Sequence, residues 1–213
     1  MLEFTQISQE VLDTRTRVNI DLIRAGVDFL QQFNIKHQLL KETAAIIYRF
    51  LRLKNRIPHN LFKYFIAAYY IVERHPKAFP VHVSKKRFCD IFKIPVNSLE
   101  YTVDKIINTL GLIKILDDKK YPYYFDPKTD IAFKLAKSII KSSVEKKRMN
   151  FLIYNQPINP QIITEDLIDE LIFKMKLFPE DLFKQFYEII YDLVEKELKE
   201  HFEYIHLQTK YFI

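Results

Sequence analysis

The chain contains only 2 glycines among its 213 residues. Glycine is the residue that most readily adopts the positive-φ conformations of tight turns and two-residue hairpins. A chain with so little glycine favours helices joined by short connections over a sheet built from many hairpins, and it cannot form a glycine-rich phosphate-binding loop. We therefore predict an all-α protein.

Cysteine content and hydropathy further restrict the class of protein to which the chain can belong. The single cysteine, Cys89, excludes an internal disulfide and the paired CxxC ligands of a zinc ribbon. Because Cys89 lies among Phe88, Ile91 and Phe92, we interpret it as a small buried hydrophobe. No apolar run reaches the roughly 18 residues that span a bilayer, and Met1 opens no signal-peptide pattern. These features predict a soluble, intracellular protein, which we expect to be cytoplasmic and associated with the nucleoid.

Charge is distributed unevenly along the chain. Residues 1–150 carry 27 Lys and Arg against 15 Asp and Glu, whereas residues 151–213 carry 6 against 12. Such a division suggests one part that faces a polyanion and another that avoids it. The charged faces of solvated amphipathic helices give the same statistics, so charge alone does not establish a partner.

Apolar residues recur at three-to-four-residue spacing through five consecutive segments in the first half of the chain. The first two helices are predicted near residues 14–34 and 38–53. The third begins at the N-cap Asn60 and is apolar nearly all round, which is typical of a helix surrounded by others. Ser84 caps the fourth helix and Pro95 marks the turn into the fifth, so the last two form a helix-turn-helix.

The fifth helix has two distinct faces. Its spacing predicts a buried seam of Leu99, Val103, Ile106, Ile107 and Leu110. The opposite face is then predicted to expose Ser98, Glu100, Tyr101, Thr102, Lys105 and Asn108. Such a face can contact base edges if the helix enters the major groove of DNA.

The order of these segments carries a family resemblance. The stretches ETAAIIYRFLRL and FIAAYYIVERHP, followed by the helix-turn-helix VSKKRFCDIFKI and NSLEYTVDKIINTL, resemble the first repeat of the core domain of archaeal transcription factor B and eukaryotic transcription factor IIB. The resemblance covers residues 15–112 and rests on apolar pattern, helix order and the Ala-Ala-Tyr-Tyr sequence at 67–70. It implies a cyclin-like five-helix repeat and a role in bridging promoter DNA, TATA-binding protein and RNA polymerase.

The remainder of the chain departs from that family. Its zinc ribbon is absent, and a second repeat is degenerate because its Ala-rich central helix is reduced to MNFLIY at 149–154. We predict two domains: residues 1–127 form the cyclin-like helix-turn-helix domain, and residues 128–213 form a helical C-terminal domain, a candidate degenerate second repeat. Segment 113–126 has two interpretations, the β-hairpin of a winged helix or an extended linker between repeats.

The sequence predicts a non-enzymatic DNA-binding transcription regulator, with double-stranded DNA as ligand of the basic repeat and TATA-binding protein, RNA polymerase or another protein as partner of the acidic C-terminal part. No cofactor, metal ligand or catalytic set is predicted. The predicted DNA contacts are the cations and polar residues Arg49, Arg52, Lys54, Arg56, Lys63, Lys85, Lys86, Arg87, Ser98, Tyr101, Thr102 and Lys105.

Two other functions fit the same pattern. A cyclin-like module that never binds DNA could hold a partner peptide in a groove beside the Ala67–Ala68 helix. A winged-helix regulator could pair its strands within 113–126 and dimerise through C-terminal helices. A fold alone does not choose among these.

Overall fold

The computed structural model describes the backbone of residues 14–54, 56–75, 83–155 and 157–210, and side chains from 17 to 200 within those ranges. The all-α prediction is confirmed, because the described residues are mostly helical and contain a single two-stranded hairpin. The α-helices and strands are α1 (Thr14–Gln31), α2 (His37–Leu53), α3 (Leu61–Glu73), α4 (Lys85–Phe92), α5 (Val96–Leu110), β1 (Ile113–Leu116), β2 (Pro122–Phe125), α6 (Ile131–Tyr154), α7 (Pro160–Ile168) and α8 (Phe183–Lys210).

The chain divides into two compact units between Gly111 and Leu112. The first unit contains α1 to α5, and the second contains the hairpin and α6 to α8. We predicted the boundary after residue 127. It falls earlier because Ile115 and Phe125 of the hairpin are buried in the core of the second unit, where the Phe125 ring lies 5.3 Å from that of Phe186.

Helix α3 is the centre of the first unit and contacts α1, α2 and α5. Residues 64–68 are all buried, as expected for a helix surrounded by others. The predicted N-cap is confirmed, since Asn60 Oδ1 accepts a hydrogen bond from the Lys63 amide at 3.3 Å. Gly26 of α1 lies directly against the ring of Phe65, so the missing Cβ allows these two helices to pack closely.

Helices α4 and α5 form the predicted helix-turn-helix. Ser84 Oγ accepts a hydrogen bond from the Arg87 amide at 3.2 Å and caps α4. The turn between the helices begins at Lys93, which takes a left-handed conformation with φ 49°. All five predicted seam residues of α5 are buried, and Gly111 ends the helix with φ 68°.

Segment 113–126 is a hairpin rather than an extended linker. Strands β1 and β2 pair antiparallel with Ile113 opposite Phe125 and Leu116 opposite Pro122. Asp117 Oδ1 accepts a hydrogen bond from the Tyr121 amide at 2.7 Å across the turn, and Lys120 supplies a left-handed residue with φ 59°. The hairpin expected for a winged helix is therefore present, but its buried face belongs to the core of the second unit.

The second unit is built from three long helical segments. Asp130 Oδ1 caps α6 through the Ala132 amide at 2.9 Å. Helix α7 begins at Pro160, where Asn159 Oδ1 caps it by accepting a hydrogen bond from the Gln161 amide at 2.8 Å. It continues as a π-helical stretch, Asp169–Lys174, and a short 3-10 turn, Glu180–Leu182, precedes α8. No described helix is both long and apolar enough to cross a membrane.

Candidate nucleic-acid interface

Cations and aromatic rings from three helices form one continuous row across the first unit. Lys54 Nζ lies 5.8 Å from the centre of the Phe50 ring, and that ring lies 5.0 Å from the Tyr64 ring. Lys105 Nζ of α5 lies 5.8 Å from the Tyr64 ring and 5.7 Å from the Tyr101 ring. We call Lys54, Phe50, Tyr64, Lys105 and Tyr101 the cation-aromatic row.

The aromatic neighbours of Lys105 favour its protonated form. A hydrogen bond to Tyr64, together with the electrostatic effects of Tyr64 and Tyr101, raises the pKa of Lys105 above its usual value. Tyr101 is 65% exposed at the outer end of the row, so its ring and hydroxyl are accessible to a ligand.

Further predicted cations adjoin the row where α2 ends and α3 begins. The Arg52 guanidinium lies 5.8 Å from the ring of Tyr48. Arg52 and Arg56 are exposed, whereas Arg49 and Lys63 are half-buried. Since α2 and α3 are joined by the short connection 54–60, these residues and the row lie at the same end of the two helices. Several predicted phosphate contacts thus lie at this end of α2 and α3, but Arg52, about 200° around α2 from the buried Phe50, is on a different side of that helix from the row.

The cations at the start of α4 differ in their surroundings. Lys85 Nζ forms an ion pair with Glu100 of α5, with side-chain exposures of 40% and 47%. Lys86 and Arg87 are exposed. Exposed ion pairs contribute little to stability, but this pair neutralises one predicted phosphate contact and places a carboxylate on the exposed face of α5.

Thr102 does not belong to the exposed face, and its assignment as a DNA contact is wrong. It is 3% exposed, and its hydroxyl donates a hydrogen bond to the Ser98 carbonyl at 2.7 Å. The reason is its position, three residues after Leu99 and four before Ile106, which places it on the buried seam. Ser98 is half-buried, so Tyr101 and Lys105 are the prominent predicted contacts on this helix.

Arg74, which was not among the predicted residues, organises the approach to α4. Its guanidinium lies 3.4 Å from the centre of the Tyr70 ring and donates a hydrogen bond to the Val83 carbonyl at 2.9 Å. The Arg74 side chain is 1% exposed, and its hydrogen bond connects the end of α3 to the residue that precedes Ser84. It thereby helps position the start of α4, where Lys86 and Arg87 lie. Nothing in the sequence pairs Arg74 with Val83, so the periodic pattern gave no signal for this contact.

No family model, curated protein or solved structure matches this chain. Within the parts of the chain that the structure describes, no three His, Cys, Asp or Glu residues are grouped so as to hold a metal ion.

Proposed function

We propose that the first unit binds double-stranded DNA through Lys54, Lys105 and Tyr101 of the cation-aromatic row and through the adjoining cations, and that the protein is a non-enzymatic transcription regulator. The observation that carries the proposal is the convergence of Lys54 and Lys105, which lie far apart in the sequence but on one row in the fold. A duplex presents phosphates along both strands, so a binding surface needs cations spread across several elements.

The positive charge of the first unit is concentrated in the part of the sequence that contains the row. Residues 49–105 carry 12 Lys and Arg against 4 Asp and Glu, whereas residues 1–48 carry 5 against 6. The positive character of the first unit thus comes from the segments that supply the row and the helix-turn-helix. Cations so placed contribute affinity that does not depend on base sequence, while exposed Tyr101 on α5 is available for base or sugar contacts.

The resemblance to transcription factor B extends this proposal to promoter DNA. In this extended proposal, the second unit contacts a protein partner. The family suggests TATA-binding protein and RNA polymerase as candidates for that partner. Its sequence from residue 151 onward is acidic, which disfavours contact with phosphates and suits a protein surface.

Duplex binding across a salt series tests the proposal. We expect the full chain to bind a labelled 20-base-pair duplex with micromolar or tighter affinity at low salt, and the logarithm of the binding constant to fall steeply with the logarithm of salt concentration. Replacing Arg49, Arg52 and Arg56 with Ala should reduce the slope by about 0.9 for each phosphate that the variant no longer neutralises.

A matched control distinguishes the effect of local phosphate contacts on the slope from the effect of net charge. The triple variant Lys134→Ala, Lys137→Ala and Lys141→Ala removes the same charge from exposed positions on α6 of the second unit. We expect it to retain most of the slope. Absence of duplex binding at low salt, or an equal decrease of slope in both triple variants, would overturn the proposed surface.

A second candidate function, a cyclin-like protein-interaction module without DNA binding, is favoured by a cavity of about 460 Å³ in the first unit. Leu22 and Gly26 of α1 line one side, and Ile57, Phe62 and Phe65 line the other. Ile57 and Phe62 are each 48% exposed at its opening. The cavity lies at the N-terminal half of α3, and Ala67 and Ala68, which are fully buried, do not line it.

Affinity capture after nuclease treatment distinguishes the two functions. Recovery of one specific protein, abolished in Phe62→Glu but retained in Arg52→Ala, together with no duplex binding, would favour the module. Disappearance of all captured proteins after nuclease treatment would instead favour nucleic-acid binding.

A further inference from the structure

One side of α6 carries a regular stripe of accessible residues. The stripe runs along the 24-residue helix with alternating spacings of four and three residues, and its members are Ile131, Leu135, Ser138, Ser142, Glu145, Met149 and Leu152. All are exposed except Glu145, which is half-buried. A spacing that averages 3.5 residues is that of a helix seam which packs against another helix. We call these seven residues the α6 seam.

Large apolar side chains lie at both ends of the α6 seam. Ile131 is 75% exposed and Leu152 is 58% exposed, with Leu135 and Met149 near 40%. Ile153, beside the seam, is 61% exposed. Single exposed apolar residues are ordinary, but here they form a pair at each end of one helix face, with Ser138, Ser142 and Glu145 between the pairs, and exposed apolar clusters of this kind indicate an interaction surface. The core of the second unit uses other residues of α6, including Phe133, Ala136, Ile140 and Val144.

The positions that flank the α6 seam are positively charged. Lys134 and Lys141 flank it on one side and Lys146 on the other, and all three are exposed. No Asp or Glu occurs between Ile131 and Val144, and Glu145 forms an ion pair with Arg148. The second unit as a whole has 16 Lys and Arg against 17 Asp and Glu, so this basic face is a local feature. Flanking charges of this kind select a partner helix of opposite sign.

We propose that the α6 seam is the docking surface for an acidic amphipathic helix of a protein partner. A second copy of this chain is a poor candidate for that helix. The acidic α8 already uses its apolar residues Phe186, Ile190, Val194 and Leu198 in its own core. A lipid surface is also a poor match, because Ser138, Ser142 and the charged Glu145 would have to enter the bilayer, whereas a partner helix can place polar side chains opposite them. This proposal does not depend on DNA binding by the first unit.

Two synthetic helices provide the test. The first is a fluorescein-labelled 21-residue peptide with a heptad pattern, Leu at its seam positions and Glu at the flanking positions. The second is identical but carries Lys at the flanking positions. With the 213-residue chain we expect the acidic peptide to bind at least about tenfold more tightly than the basic one, as measured by fluorescence anisotropy at physiological ionic strength.

Charge reversal makes the test specific. The double variant Lys134→Glu and Lys141→Glu should lose binding of the acidic peptide and gain binding of the basic one. Leu135→Glu with Leu152→Glu should weaken both. The control Ile162→Glu with Phe173→Glu introduces the same charges at exposed apolar positions outside α6 and should bind like the parent. Circular dichroism confirms that each variant is folded.

Several results would overturn the proposal. The first is equal binding of both peptides, and the second is no binding of the acidic peptide up to about 100 µM. The third is seam-dependent binding to vesicles containing phosphatidylserine without binding of the acidic peptide. The fourth is concentration-dependent self-association that Leu152→Glu abolishes, which would identify the seam as an interface between copies.

Discussion

Gly26 on α1 and Phe65 on α3 are packed so closely that a Cβ at Gly26 would lie 2.1 Å from Cε2 of the ring. Phe65 is fully buried, and both residues also line the cavity of about 460 Å³. This contact sets the closest approach of α1 to the central helix. It also accounts for one of the chain's two glycines in the middle of a helix, where glycine is otherwise unfavourable.

Gly26→Ala should destabilise the first unit. Alanine gains about 1 kcal/mol of helix propensity over glycine, but overpacking costs about 1–3 kcal/mol, and the 2.1 Å overlap with the Phe65 ring favours the upper part of that range. Urea denaturation should show the decrease in the free energy of unfolding. In Gly26→Ala with Phe65→Leu, the combined decrease should be smaller than the sum of the two single decreases, because leucine relieves the overlap. A Gly26→Ala variant as stable as the parent would contradict the packing described.

Alkaline pH should weaken the first unit through Tyr69. Burial, with a smaller effect from the charge of Glu73, raises the pKa of Tyr69 from 10.0 to about 12. The folded state therefore favours the protonated phenol. This contribution to stability is fully present below pH 10 and is lost as the pH rises through about 12. Melting temperatures at pH 9, 10 and 11 should fall less steeply in Tyr69→Phe than in the parent, whereas parallel curves would show that Tyr69 has no part in the destabilisation.

Glu100→Gln should increase affinity for duplex DNA. The change frees Lys85 from its ion pair and removes a carboxylate from the exposed face of α5. One additional phosphate contact steepens the salt dependence by about 0.9. Binding isotherms in a salt series would measure this slope. Asp192→Asn makes the same charge change at an exposed position on α8 and should leave the slope unaltered. Equal effects of the two variants would show that only net charge matters.

The adjacent residues Tyr101 and Thr102 should behave differently when replaced. Tyr101→Ala changes a 65% exposed side chain and should alter stability by less than about 0.5 kcal/mol, while it weakens duplex binding. Thr102→Val should leave binding unchanged, because that side chain is buried on the seam and its hydroxyl is bonded within α5. Parallel measurement of unfolding and anisotropy for both variants checks the assignment, and weaker binding in Thr102→Val alone would reverse it.

The local pattern of the sequence was sufficient to predict the five helices of the first unit and two of their caps. Asn60 and Ser84 cap α3 and α4 as expected, and the α5 seam is buried at all five predicted positions. These features depend on residues within one or two turns of each other. Thr102 was misassigned because it lies at the edge of that seam, where a small polar side chain is compatible with either face of the helix.

Features that depend on distant residues could not be predicted in this way. In the cation-aromatic row, Lys54 and Lys105 are connected through one ring on α2 and one on α3. The periodicity of the sequence contains no information on such contacts between helices. The same holds for the hydrogen bond from Arg74 to Val83. The boundary between units was misplaced because the choice between hairpin and linker is decided by burial of Ile115 and Phe125 against residues that follow them in the chain.

Because the chain has few glycines, lysines occupy several of its left-handed backbone positions, and glycine substitutions there change the stability and the net charge of the protein together. Among the described residues, Lys93, Lys120 and Lys176 occupy left-handed conformations that cost a side-chain-bearing residue about 1 kcal/mol relative to glycine. Replacing all three with Gly should raise the free energy of unfolding while lowering the formal net charge from +6 to +3. Denaturant titration and duplex binding of this variant would measure the two effects separately. Such a variant would let long-range electrostatic attraction be reduced in a protein that is more robust than the parent.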